Sequence, residues 1–177
     1  MRRLSAALLL AALLLTACSR APQLHQREAF VFGTRVEVSV WGESADKAAQ
    51  ALAAVLAEFD RLHRLLHAWQ PSELTTLNEA IARGEGNIAV SAELTFLLKD
   101  AADIAARSDQ LFNPAIGRLV ALWGFHSDEF RPQLPDMAAV EAVAKARPSM
   151  SDLTITDISV SSRNRAVQLD LGGYAKG

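Results

Sequence analysis

A change of hydrophobic period along the chain limits what it can fold into more than any single motif does. From Phe30 to Val40 the beat is two: Phe30, Phe32, Val36, Val38 and Val40 share one parity, while Arg35, Glu37 and Ser39 take the other. That alternation predicts a half-buried strand, with Gly33 marking a bulge or a close backbone approach. Beyond Ser44, a plausible N-cap, the beat becomes helical, with Leu52, Val55, Leu56, Phe59, Leu62 and Leu66 on one face. A second helix is predicted over Ala92 to Arg107 behind Ser91, burying Leu94, Leu97, Leu98, Ala101 and Ile104. Asn113-Pro114 fits the cap and first turn of a third, because proline lacks an N–H that would be unpaired there. Asp136 to Arg147 predicts a fourth, stopped at Pro148. Leu153 to Val160 and Ala166 to Leu171 read as paired strands around the polar turn Ser161 to Asn164. Antiparallel strands at both ends with packed helices between them predict an α+β fold, not a regular βαβ series.

The first residues have a separate role. Arg2 and Arg3 precede an apolar run, Ala6 to Leu15, that is too short to cross a bilayer as a helix. It ends in Leu15-Thr16-Ala17-Cys18, the form of a lipobox: small residues admit a peptidase and the thiol accepts a diacylglycerol. Residues 1–17 are therefore expected to be a signal peptide, and Cys18 the lipidated first residue of a protein in the cell envelope. That protein would be anchored to a membrane by its lipid and face the periplasm. Cys18 is also the only cysteine, so no structural disulfide can form. Residues 18–27 are polar, contain Pro22 and read as a tether. The net charge of −2, without a basic stripe, excludes a nucleic-acid partner.

Few local constellations carry chemistry. His63 and His67 stand one helical turn apart, a metal-gripping spacing, yet no carboxylate or third histidine completes a set; packing explains both. His126, after Trp123-Gly124-Phe125, reads as a surface histidine. No nucleophile elbow, P-loop or dinucleotide fingerprint is present. Asp170-Leu171-Gly172-Gly173-Tyr174-Ala175-Lys176-Gly177 reads as a strand passing through a glycine pair into a helix start. Two readings of it stay open. Its free N–H groups and Lys176 could hold a phosphate while Asp170 accepts from a base or ribose, or it could be a plain turn with a solvated lysine. The helix beginning there is not developed, which suggests an N-terminal part of a domain whose C-terminal part is missing.

Taken in order, Phe32-Gly33-Thr34, then Trp69 with Ser72, Leu77 and Asn78, then Phe112-Asn113-Pro114 with Leu122 to Phe125, and finally the Asp170 segment resemble the ApbE family. These are FAD:protein FMN transferases, many of them periplasmic lipoproteins. The resemblance runs from about Phe30 to the end, and its last segment is close to the family's Asp-Leu-Gly-Gly-Ile-Ala-Lys-Gly. It implies Mg²⁺-dependent transfer of FMN from FAD to a Thr or Ser hydroxyl of a target flavoprotein, with release of AMP. It also implies FAD contacts from Phe32 (in place of the family's Met), Trp69, Leu111, Phe112, Asn113 (commonly Asp), Asp170 and Lys176. Gly173 matches a position that helps hold Mg²⁺ through its backbone. No nucleophile of the chain itself is needed. Hydrolysis of FAD in the same pocket, or simple carriage of flavin, are the alternatives.

Overall fold

The alternating stretch that opens the domain folds back on itself. In the computed structural model, which describes residues 21–127, 129 and 134–175, β1 (Leu24–Val31) and β2 (Thr34–Trp41) pair into a two-stranded sheet. Phe32 and Gly33 form the turn, with φ of 54° and 68°. Both residues lie in the left-handed region that a tight hairpin turn requires. This corrects the expectation of one continuous strand, and Leu24 to Arg27, read as tether, are strand. The parity survives in β2, where Val36, Val38 and Val40 are half-buried, but Phe30 is exposed. Residues 1–17, the proposed signal peptide, and Cys18 lie outside the described residues.

The helix α1 (Ala45–Leu65) follows, then α2 (Glu73–Arg83), β3 (Ile88–Ala89), α3 (Ala92–Arg107), α4 (Gly117–Leu122), α5 (Met137–Ala146), a 3₁₀ turn (Met150–Asp152), β4 (Leu153–Ile155) and β5 (Ser159–Ser162). Two compact units share this order. Of the described residues, one comprises those up to Ala29 together with Glu37–Leu56; the other comprises Phe30–Val36 and those from Ala57 onward. In the first, Gln26 Nε2 donates to Glu37 Oε1 at 2.6 Å, and the Gly42 N–H donates to the Gln23 carbonyl at 3.1 Å. Ala48 and Leu52 are the buried residues of its helical portion.

The second unit holds the core. Leu74, Leu77 and Ile81 of α2 meet Leu94 and Leu98 of α3, with Val160, Val167, Leu169 and Leu171 closing the cluster. Burying each of these aliphatic side chains contributes about 1.5–3 kcal/mol. β5 is the middle strand of a three-stranded antiparallel sheet, pairing Val160 with both Ile88 and Ile155. α3 and α5 start and stop where their caps predict: Ser91 accepts the Leu94 N–H, and Asp136 accepts the Ala138 N–H.

Three expectations are corrected here. Asn113 and Pro114 do not open a helix; α4 begins at Gly117 behind Ile116, which makes no side-chain cap. The polar turn does not join two strands: β4 pairs with β5 around Thr156 to Ile158. Residues 166–171 are extended but, among the described residues, make only an isolated parallel bridge, Ile116 to Gln168. The helix α2 was not anticipated at all. It is set by a capping box, in which Ser72 Oγ accepts the Thr75 N–H while Thr75 Oγ1 accepts the Ser72 N–H.

Candidate active site

The extended 167–171 segment is the backbone of the site. Val167, Leu169 and Leu171 point into the core, so Gln168 and Asp170 point the other way. On one side the Gln168 and Asp170 N–H groups donate to the Ala115 and Pro114 carbonyls at 3.2 and 2.9 Å. On the other side, among the described residues, no strand lies alongside. Asn78 of α2 stands in for one: its Nδ2 donates to the Leu169 carbonyl at 2.9 Å and its Oδ1 accepts the Leu169 N–H at 2.7 Å. Gly117 closes against the same segment, its N–H 2.7 Å from the Gln168 carbonyl.

Phe32, Trp69, Leu111, Phe112, Asn113, Asp170 and Gly173 all line one cleft of about 620 Å³. That is the size range of small-molecule sites. Each comes from a connection between elements. Phe32 is at the tip of the β1–β2 hairpin; its N–H donates to His63 Nδ1 at 3.2 Å, and its ring meets Phe59 and His63 edge-on. Those contacts offset the cost of a bulky residue at positive φ. Trp69 follows His67, whose buried Nδ1 accepts the Trp69 and Gln70 N–H groups at 3.4 and 3.1 Å. Ser72 Oγ donates to the His67 carbonyl at 2.7 Å, tying this loop to the start of α2. His63 and His67 thus each turn Nδ1 to backbone, and among the described residues no three His, Cys, Asp or Glu gather as a metal site.

Leu111, Phe112 and Asn113 leave the end of α3 through Asp109 and Gln110, both at positive φ. Leu111 lies on the rim, almost wholly exposed. Asn113 Nδ2 donates to the Pro148 carbonyl at 2.9 Å, and Oδ1 accepts the Ala115 N–H at 3.1 Å. An aspartate there could not make the first bond, since a carboxylate only accepts. Beyond Asp170, the Tyr174 hydroxyl donates to Asp100 Oδ2 at 2.7 Å; burial first, and then that carboxylate, push the phenol up to about 12. Lys176 lies outside the described residues.

One residue of the site escaped the sequence reading. His126 is not a surface histidine: its side chain is 8% exposed, its ring stacks on Trp69 and its Nε2 lies 2.8 Å from Asp170 Oδ2. No local signal marks it, because both partners are distant in sequence.

These features define an α+β protein with an aromatic-lined cleft that exposes one carboxylate. The sequence model of the ApbE family matches residues 32–177, and the chain belongs to that family. The FAD:protein FMN transferase of Rhodobacter capsulatus is 45% identical over 148 residues, which cover 84% of this chain and 28% of that protein. The FAD:protein FMN transferase of Salmonella typhimurium is 30% identical over 84% of this chain and 44% of its own length. Among solved structures, the ApbE protein of Thermotoga maritima superposes with a TM-score of 0.75 at 26% identity, over 88% of this chain and 49% of that one. The flavin transferase ApbE of Vibrio cholerae shares the fold, with a TM-score of 0.70 over 87% of this chain and 51% of its own. The chain thus spans about half the length of these relatives, or less.

Proposed function

We propose that the cleft binds FAD and serves an FAD:protein FMN transferase. A Thr or Ser hydroxyl of a target flavoprotein attacks the flavin-side phosphorus, a new P–O bond forms, the hydroxyl proton is lost, and the bond to the AMP phosphate breaks. The observation that carries this reading is that the seven described residues matching the family's flavin and metal positions line a single cleft. Trp69 offers a planar face to a planar ring, and Asp170 an acceptor to a ring or ribose donor. Phe32 and Phe112 exclude water beside them. In-line placement of the acceptor hydroxyl supplies much of the rate enhancement in such a displacement.

A divalent cation, Mg²⁺, belongs to the proposal as the neutraliser of pyrophosphate charge. The described residues do not form its site by themselves: Gly173 can offer only a backbone oxygen, and Asp170 is already held by His126 and the Gly172 N–H. The cellular setting is also a proposal. Cleavage after Ala17 and lipidation of Cys18 would hold the protein on a membrane, facing the periplasm. No described helix is long and apolar enough to cross a membrane. Mass spectrometry of the mature N-terminus is expected to find a lipid-modified cysteine.

The activity is tested by giving the protein FAD, Mg²⁺ and a flavin-accepting protein. AMP should be released, and the acceptor should stay fluorescent after denaturation. AMP with all flavin free in solution would mean hydrolysis, and bound FAD left unconsumed would mean a carrier.

A further inference from the structure

His126 makes two contacts of different kinds to two residues of the cleft. Its imidazole lies nearly parallel to the Trp69 indole, with ring centroids 5.1 Å apart and planes 21° from parallel. Its Nε2 is 2.8 Å from Asp170 Oδ2. An ionised carboxylate only accepts, so Nε2 carries the hydrogen. The other oxygen of Asp170 takes the Gly172 N–H at 2.8 Å. At least two donors therefore hold the carboxylate, and its plane cannot turn freely. The ring that supplies one of them also covers a face of Trp69.

Packing alone does not account for this arrangement. A nearly buried side chain used only as filler would be apolar, because an imidazole costs free energy on burial unless its nitrogens are paired. The partner here is the carboxylate that lines the cleft, not a carbonyl of the core. One histidine thus contacts both groups, adding to the Gly172 N–H that holds Asp170 and to the His67 ring that meets Trp69.

We propose that His126 is a positioning residue that holds Trp69 and Asp170 in one fixed arrangement toward FAD, so that the ligand meets a preorganised site. The proposal rests on the FAD-binding reading above. Its physical content is that the ordering of both side chains is done on folding, before binding, which lowers the cost of association.

Three variants separate the two contacts. His126→Phe keeps a ring on Trp69 and removes the donor, His126→Gln keeps an N–H donor and removes the flat ring, and His126→Ala removes both. FAD affinity is read by flavin fluorescence and folding by thermal melts followed by circular dichroism. His126→Ala is expected to weaken FAD binding about 10- to 100-fold. His126→Phe and His126→Gln should each recover part of that loss, with melting temperatures close to the unaltered protein. On an Asp170→Ala background, His126→Phe should change affinity less than about twofold, because the bond it removes is already gone. Affinity that falls only in step with melting temperature, or the same loss with and without Asp170, would overturn the proposal. If Asp170→Ala and Trp69→Ala weaken FAD binding while all three His126 variants bind normally, the inference fails alone. If the unaltered protein binds no FAD, the reading beneath it fails too.

Discussion

Replacing Asn78 asks how the segment carrying Asp170 is held. Asn78 is 8% exposed and Leu169 is fully buried, and one amide satisfies both backbone groups of that leucine. Asn78→Ala would strand a buried N–H and a buried C=O. Each such group costs about 1–3 kcal/mol when its partner is removed, so the variant should lose about 2–6 kcal/mol. That is a large share of the roughly 5–15 kcal/mol that holds a typical domain together. Asn78→Asp is nearly isosteric and instructive. It keeps an acceptor for the Leu169 N–H but turns a second oxygen on the Leu169 carbonyl, so it should not rescue.

Urea unfolding followed by circular dichroism measures the effect. With a mid-range slope of about 2 kcal/mol per molar urea, the midpoint of Asn78→Ala should fall by about 1–3 M. FAD affinity should fall as well, because Asp170 is the next residue and its N–H bond to Pro114 depends on the same extended course. A loss below about 0.5 kcal/mol, the range of ordinary surface substitutions, would refute the reasoning. It would mean that Leu169 finds other partners and that Asn78 does not act as the missing strand.

Gly117→Ala should lower the melting temperature by several degrees, since a Cβ there would fall 2.7 Å from the Gln168 carbonyl and neither backbone can yield cheaply; an unchanged melt would contradict the close approach. Ser72→Ala should cost about 1 kcal/mol of stability from the lost cap, and should alter Trp69 fluorescence because the His67 carbonyl loses its donor. Burial alone would raise the Asp152 carboxyl, yet bonds from Arg163, Asn164 and the Ser149 N–H hold it below its usual 3.8. Its contribution is therefore present above pH 3.8 and lost as pH falls through the lower folded value. The stability gap between the unaltered protein and Asp152→Asn should shrink in that acid range, and a gap independent of pH would show that ionisation of Asp152 is not involved.

Much of the scaffold was legible because its signals are local. Ser91 caps the helix it was expected to cap, the helix expected from Asp136 begins at Met137 with Asp136 as its cap, and Leu94, Leu98 and Ala101 are buried as their spacing demands. The helix α2 was missed although Ser72 with Thr75, and Leu74, Leu77 and Ile81 on one face, could have revealed it. Its threonines and asparagine weaken the propensity, and tertiary burial of the apolar face outweighs them. The parity that runs through Phe30, Phe32 and Val36 hides the hairpin, and a phenylalanine at its first turn position is disfavoured in a left-handed turn. What makes it possible, the bond to His63 Nδ1 and the edge contact with Phe59, lies on a helix far along the chain. Residues 166–171, expected as a strand paired with Leu153 to Val160, do not make that pairing; the Asn78 side chain takes both backbone bonds of Leu169.

The division between what was legible and what was not follows the division between scaffold and site. Helices announce themselves through repeated apolar spacing, and repetition survives a substitution or two. The cleft is built from the hairpin tip at Phe32, the loop at Trp69, the exit from α3 at Leu111 to Asn113, and the turn after Asp170. None of these has a period. Three of its approaches, at Phe32, Asp109 and Gln110, run through non-glycine residues with positive φ, conformations that local propensity disfavours. Such segments persist only where distant groups over-determine them. For the residues lining the cleft, the family resemblance supplied what periodicity could not, because it compares residues and not patterns. It did not supply His126, whose place is fixed by two contacts across the fold, one to Trp69 and one to Asp170. A residue whose role consists entirely in holding others in place carries no motif of its own, and only the folded geometry reveals it.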